Sequence, residues 1–267
     1  MHPVEVIAGD SPVILGQPHG GTWLPAAVKE RLNATGGALA DTDWHIGRLY
    51  DGLLPGATVV RATFHRYLID ANRDPAGASL YPGQNTTALC PITDFDGRPI
   101  WADGGEPDAG DITARRAEFH APYHAALEAE VERVKARHGV AVVYDCHSIR
   151  SDIPFLFPGT LPVFNIGTNG GETCSATMTE AVLAACEGSG FPTVLNGRFK
   201  GGWTTRHYGR PGAGVHAIQM EIAQRAYLAA ESPPWVFDEV RAGKLRAVLG
   251  PILSAIDRLA RSGALTD

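Results

Sequence analysis

The sequence predicts one α/β domain spanning residues 1–267, with a largely parallel or mixed central β-sheet flanked by helices. Three observations predict it. Short apolar runs of strand length alternate with helical segments along the chain. One run, "VAVVYDCH" (140–147), is almost continuously apolar, as a central strand covered on both faces must be. No repeat, low-complexity segment, charge run or linker divides the 267 residues.

Taken in order, "PVILG" (12–16) is a β-rich run that stops at Gln17-Pro18-His19-Gly20-Gly21. Leu24–Leu32 reads as a short helix. Asp41–Leu54 reads as another, with Ile46, Leu49, Tyr50 and Leu53 at helical spacing. "ATVVRATF" (57–64) and "RYLID" (66–70) read as two strands, or one long bent strand, leading into "ANRDP". From Ala76 to Asp108 the chain is rich in Gly, Pro, Asp and Asn. A loop of that length is more often functional than idle, and a lid is the role it suggests.

Asp111–His138 is the clearest helix, with Asp111 as N-cap, Leu127, Val131 and Val134 on one face, and Gly139 at the C-terminal stop. Pro122 is expected to kink or split it. Residues 173–190 form a further helix, "PTVLNGRF" and "VHAIQMEIAQ" further strands, and Phe237–Leu259 a last helix broken at Pro251.

Composition bounds the function. With 44% hydrophobic residues and a net charge of −6, the chain has the makeup of a globule with a sizeable core. The acidic balance argues against nucleic acid, because binding phosphates needs a basic face. No run of about 18 apolar residues predicts a membrane span. The N-terminus lacks a basic stretch followed by an apolar one, so no signal peptide is expected. The four cysteines, Cys90, Cys146, Cys174 and Cys186, are widely spaced with no CxxC pair, which points to a reducing compartment, the cytoplasm. The sequence does not speak to oligomeric state.

In open α/β sheets ligands bind beyond the carboxyl ends of the strands. Chemically capable side chains gather there: His19 after the first run, Asn72 and Arg73 after "RYLIDA", Asp145 and His147 after "VAVVY", and Glu221 inside "AIQMEIA". Two histidines, carboxylates and arginines at one sheet edge suggest a metal site with an anion clamp. A zinc ion that activates water takes three protein ligands and keeps one position open. His19 and His147 are the chosen histidines. "DTDWH" (41–45) offers Asp41, Asp43 and His45 for the third ligand, and Asp43 is preferred. Another divalent transition metal would fit the same ligand types.

Several long segments carry a resemblance: "PHGG" (18–21), "DTDWHIGRLYD" (41–51), "RYLIDANRDP" (66–75), "SLYPGQNTTALCP" (79–91), "DCHSIRS" (145–151), "NGRFKGGWTTRHYG" (196–209) and "HAIQMEIAQ" (216–224). In these, and in their order from about Pro12 to about Tyr227, the chain resembles the N-formylglutamate amidohydrolases (N-formylglutamate deformylases). The resemblance implies a fold like that of zinc-dependent exopeptidases and aspartoacylases. It also implies a late step of bacterial histidine degradation, in which a small anionic N-acyl amino acid, N-formyl-L-glutamate, is hydrolysed to formate and L-glutamate.

Those relatives carry His-x-x-Glu as their first two ligands, whereas here Thr22 stands three positions after His19, so the acidic ligand must come from elsewhere. By the same resemblance, Asn72-Arg73 bind a substrate carboxylate and Glu221 is the general base. Arg66, Arg150, Arg206 and His216 form the pool for oxyanion stabilisation and for the second carboxylate.

"GRFKGGWTTRHYG" has the wrong spacing for a nucleotide-binding glycine motif and reads as a loop at the mouth of the site, with Arg198, Lys200 and Arg206 adding positive potential. A cysteine hydrolase using Cys146 beside His147 is a rival reading. It is disfavoured because adjacent strand residues point to opposite faces. A non-catalytic dicarboxylate binder is the other rival, and Glu221→Gln separates it from an enzyme.

Overall fold

The computed structural model describes residues 2–80 and 82–265; Met1, Tyr81 of the 76–108 loop, Thr266 and Asp267 lie outside it. In chain order the elements are β1 (Val4–Ile7), β2 (Val13–Gln17), α1 (Ala26–Lys29), α2 (Ala34–Gly37), α3 (Ile46–Tyr50), β3 (Thr58–Ala62), α4 (Ala109–Arg115) and α5 (Ala121–His138). Then come β4 (Ala141–Ile149), β5 (Phe164–Gly167), α6 (Ala176–Gly188), β6 (Thr193–Leu195), α7 (Trp203–Tyr208), β7 (Val215–Ala223) and α8 (Glu239–Arg261).

The seven strands form one mixed sheet in the order β1-β3-β2-β4-β7-β5-β6. Its centre, β3-β2-β4-β7, is parallel; β1 joins antiparallel to β3 and β5 antiparallel to β7. All nine residues of β4 and of β7 are buried, because helices cover both faces.

The two faces differ in a way that creates the site. On one face Val142, Tyr144 and Cys146 of β4 and Ile218, Met220 and Ile222 of β7 pack against buried residues of α6 and α8, among them Met178, Val182, Leu245, Leu249 and Ile252. On the other, Ala141, Val143, Val215 and Ala217 pack against Tyr123, Leu127, Val131 and Val134 of α5. Alternation then puts Asp145 and His147, and Gln219 and Glu221, on that second face. There the apolar packing gives way to polar groups toward the carboxyl ends of the strands. The parallel register sets Asp145 opposite Gln219 and His147 opposite Glu221.

Several elements differ from the sequence expectation. "RYLID" is not a strand. Tyr67, Leu68 and Ile69 are all buried in succession in a turn, held by bonds such as Leu68 N to His65 O (3.0 Å) and Asp70 N to Leu89 O (2.7 Å). Their apolar run reflects packing on several sides of a loop rather than a pleat. The helices expected over 24–32 and 41–54 shrink to α1 and α3. His45, at the N-cap of α3, is left-handed with φ 60°, so the helix cannot extend back through it.

Asp108, not Asp111, is the N-cap of α4; Asp111 is its partner in a reciprocal capping box. Pro122 does not split the long helix. A single π-helical turn, Arg116–His120, links α4 to α5 and leads directly into the proline at the start of α5, which closes at left-handed Gly139. Pro251 lies inside an unbroken α8. Strands β1 and β5 and helix α7 carry too few residues of clear periodicity to be read from sequence.

Candidate active site

His19 lies just beyond β2, and its carbonyl accepts from Asp43 N (3.1 Å), tying two distant loops together. His147 comes from β4. Among the described residues one group of three could hold a metal ion: His19, Asp43 and His147, all buried, with ligand atoms within 4.8 Å of one another. The two histidines face each other through Nδ1, 3.1 Å apart. Asp43 Oδ2 is 3.4 Å from His147 Nδ1 and 3.9 Å from His19 Nδ1, and accepts from Ser148 N at 3.0 Å. Asp43 Oδ1 is buried without a hydrogen bond; Arg66 Nη1 is 3.7 Å away.

Each histidine turns its other nitrogen to a carboxylate. His19 Nε2 donates to Asp70 Oδ1 at 2.7 Å, and Asp70 Oδ2 accepts from Arg66 Nη2 at 2.9 Å. A ring nitrogen that donates to Asp70 cannot also accept from Arg66, so its 3.0 Å approach to Arg66 Nη2 is a packing contact. His147 Nε2 is 3.0 Å from Asp145 Oδ1, an ion-pair contact rather than an aligned hydrogen bond, since that oxygen has no hydrogen-bond partner. Thr205 Oγ1 donates to the other oxygen of Asp145 at 3.0 Å. Carboxylates behind both imidazoles leave the Nδ1 lone pairs aimed at one point, which is how metal-binding histidines are commonly oriented.

The electrostatics agree. Burial and the Arg66 charge lower His19 to about 4. Burial acts to lower His147 too, but Asp145, Asp43 and Glu221 overcome it and raise it well above its ordinary value. Against burial, its hydrogen bond to His147 and the charge of His19 hold Asp43 below the usual carboxylate range. Without a metal, the carboxylates thus draw a proton onto one imidazole; the donor set favours positive charge at its centre and fits a divalent cation.

Glu221 lies one strand away, opposite His147. Burial raises its carboxyl to about 7, opposed by His147. Gln219, two residues earlier on the same face, donates to Glu221 Oε2 (3.2 Å) and accepts from Gly202 N (2.6 Å), bracing the carboxyl against the start of α7. Asn72 Nδ2 is 3.1 Å from His147 Nε2, and its Oδ1 accepts from Thr204 N at 2.8 Å. Gly202 packs so closely on Asn72 that a Cβ there would lie 2.3 Å from Asn72 Nδ2. His120 and His124 donate to the carbonyls of Arg73 (3.0 Å) and Ala71 (2.7 Å), bracketing Asn72 from the π-turn and α5.

These groups open into a cavity whose lining includes His19, Arg66, Asn72, Arg73, His147 and Glu221. Six of the predicted residues therefore line one cavity, and Asp43 stands behind it. Arg150, Arg206 and His216 do not join them. Arg150 Nη2 pairs with Asp96 Oδ2 at 3.1 Å, and Arg206 Nε donates to the Gly201 carbonyl at 2.9 Å. His216 is five residues before Glu221, roughly 16 Å back along the strand, and on the opposite face. Its ring is bound by Ser175 N and the Leu265 carbonyl.

Of the alternatives for the third ligand, Asp41 spends one oxygen on Tyr67 OH and Phe95 N, and His45 Nε2 bonds the Trp235 carbonyl. Cys146 faces the apolar core, and burial raises its thiol well above the ordinary value, so it is no nucleophile. Asp70 and Gln219 escaped the sequence reading. Asp70 stood two residues before Asn72, and Gln219 on the Glu221 face of its strand, but neither position alone marks a role.

Fold and site together define an amide hydrolase of the α/β class, with a buried His/Asp/His cluster beside a protonatable glutamate. Residues 11–228 match the model of the N-formylglutamate amidohydrolase family. The chain is 45% identical over 252 residues to an N-formylglutamate deformylase of Pseudomonas aeruginosa and 41% identical over 250 residues to one of Pseudomonas putida, covering 93% of each chain in both cases. The crystal structure of an N-formylglutamate amidohydrolase from Ralstonia eutropha JMP134 superposes with a TM-score of 0.82 at 26% identity, covering 98% of this chain and 100% of that one. The chain belongs to the N-formylglutamate amidohydrolase family.

Proposed function

We propose that this protein hydrolyses N-formyl-L-glutamate to formate and L-glutamate in a metal-dependent reaction. The observation that carries the metal dependence is the pair of Nδ1 atoms 3.1 Å apart, each imidazole backed by a carboxylate, with Asp43 beside them. Zinc, or another divalent transition metal, held by His19, Asp43 and His147 would polarise the formyl carbonyl and make water a nucleophile near neutral pH.

The chain's own residues supply the rest. The Glu221 carboxylate takes a proton from the attacking water and returns it to the amine nitrogen as the C–N bond breaks. Its raised pKa suits both halves of that cycle near pH 7. Asn72 and Arg73 bind a substrate carboxylate at the cavity wall, and Arg66 supplies positive charge toward the developing oxyanion. Each such donor is typically worth about 3 kcal/mol. The buried cysteines, all free, support a reducing compartment such as the cytoplasm, and no helix among the described residues is long and apolar enough to cross a membrane.

The test is formate release from N-formyl-L-glutamate by the purified protein, before and after chelation, with bound metal measured in parallel. Release should vanish with the metal and return when zinc is added. Full activity in a sample shown to be metal-free would overturn the metal-dependent mechanism. Absence of release in every metal state would overturn the substrate.

A further inference from the structure

Three arginines line the cavity: Arg66, Arg73 and Arg198. Arg66 lies at its buried rear, paired with Asp70. Arg73, whose Nη1 also lies 3.6 Å from Asp70 Oδ2, and Arg198 are half-buried and come from different loops nearer the mouth. N-formyl-L-glutamate carries two carboxylates, separated by its α-carbon and two methylenes. The α-carboxylate sits on the carbon bearing the formamide nitrogen, and the γ-carboxylate lies two carbons further from the scissile bond.

Arg73 adjoins Asn72, which touches His147, so it is the inner of the two. Arg198 follows β6 and lines both this cavity and an adjoining outer groove, so it is the outer one. We propose that Arg198 binds the γ-carboxylate of the substrate, making the site selective for N-formyl dicarboxylic amino acids over neutral ones. The inference rests on the deformylase reading above.

The fork of Arg198 is held from two sides. Nε donates to the Leu156 carbonyl at 3.0 Å and Nη2 to the Asn85 carbonyl at 2.8 Å, two contacts that aim the guanidinium. Arg73 grips the same stretch of chain, with Nε on the Thr87 carbonyl (3.0 Å) and Nη2 on Thr87 Oγ1 (2.9 Å). The two cations are therefore braced on one loop segment, 85–87, which holds them at a set spacing. Phe95, Ile149, Leu156 and Phe199 line the same cavity and offer an apolar surface to the two methylenes. A planar fork matches a carboxylate through paired hydrogen bonds, which an ammonium does not reproduce.

The test compares kcat/KM for N-formyl-L-glutamate and N-formyl-L-methionine in the wild type, Arg198→Met and Arg198→Lys. The ratio of the two substrates within one preparation is independent of how much protein is folded. In Arg198→Met the ratio should fall by about 10²-fold, mainly through KM for the glutamate substrate, because a contact made equally in ground and transition states is lost. Arg198→Lys should recover part of it. An unchanged ratio, with both substrates falling together, would overturn the proposal and leave Arg198 a loop brace. A wild type that prefers neither substrate would overturn it as well. If the wild type releases formate from neither, the deformylase reading fails with it, and that result is distinct from the others.

Discussion

Glu221 and Cys146 sit on adjacent central strands and show how one position's facing decides its chemistry. Glu221 faces the cavity and is the proposed base, so Glu221→Gln, which keeps shape and the contact to Gln219, should lower kcat by about 10²–10⁴-fold. Bound metal should be unchanged, and a variant with undiminished kcat would exclude the residue from proton transfer. The base acts when deprotonated, and its carboxyl is raised to about 7, so wild-type kcat/KM should climb with pH through that region. Cys146 faces the opposite side, among Tyr144, Met220 and Ile222. Cys146→Ala should therefore keep full formate release while costing about 1 kcal/mol of stability, as loss of a small buried group does. Loss of activity without loss of fold would revive the thiol as a nucleophile.

At the scale of elements, the π-turn and the start of α5 support the site through histidines that never enter it. Burial, and then the neighbouring His120, lower His124 to about 3, its ring being packed against Tyr208 and Trp203; the bond from Nε2 to the Ala71 carbonyl opposes this. A base whose pKa is depressed on folding adds stability above its unfolded value, near 6.5, and that contribution is lost as pH falls toward 3. His124→Gln keeps a donor for Ala71 and cannot titrate. It should cost about 1 kcal/mol at neutral pH, the worth of an imperfectly replaced hydrogen bond. Its acid unfolding midpoint, followed by circular dichroism, should move to lower pH. A midpoint that stays put would mean that other groups govern acid unfolding.

The same scale explains which elements were legible. The alternation of β4 and β7 and the apolar stripe of α5 are properties of neighbours along the chain, and they were readable. "RYLID" has the apolar run of a strand without being one, because a buried turn and a buried strand look alike in sequence. Helix α7 was missed because its six residues include few that repeat at helical spacing.

For the whole molecule, the three candidate ligands His19, Asp43 and His147 come from three separate stretches of sequence: the exit of β2, the loop before α3, and β4. A metal bound there would crosslink them only in the folded state. At a free metal concentration of about 100 Kd, such binding stabilises by about 2.7 kcal/mol. Chelation should then lower the melting temperature by roughly 5–10 °C for a domain of this size, restored by zinc. An unchanged melting temperature on verified metal removal would argue that the cluster binds no ion tightly.

By itself the sequence determined the α/β class, the two central strands, and the sharing of one face by Asp145 with His147. The two histidines and Glu221 could be picked out as well, because strand alternation is local and survives without knowledge of partners. Only the tertiary structure decided that Asp43 rather than Asp41 or His45 joins the histidines. It also showed that Asp70 backs His19, that His216 faces away, and that Arg198 rather than Arg150 or Arg206 reaches the cavity. Those choices depend on which loops meet across a sheet. Charge pairing acts through a few ångströms of space, and residues 19, 147 and 221 become neighbours only once the strands have taken their register.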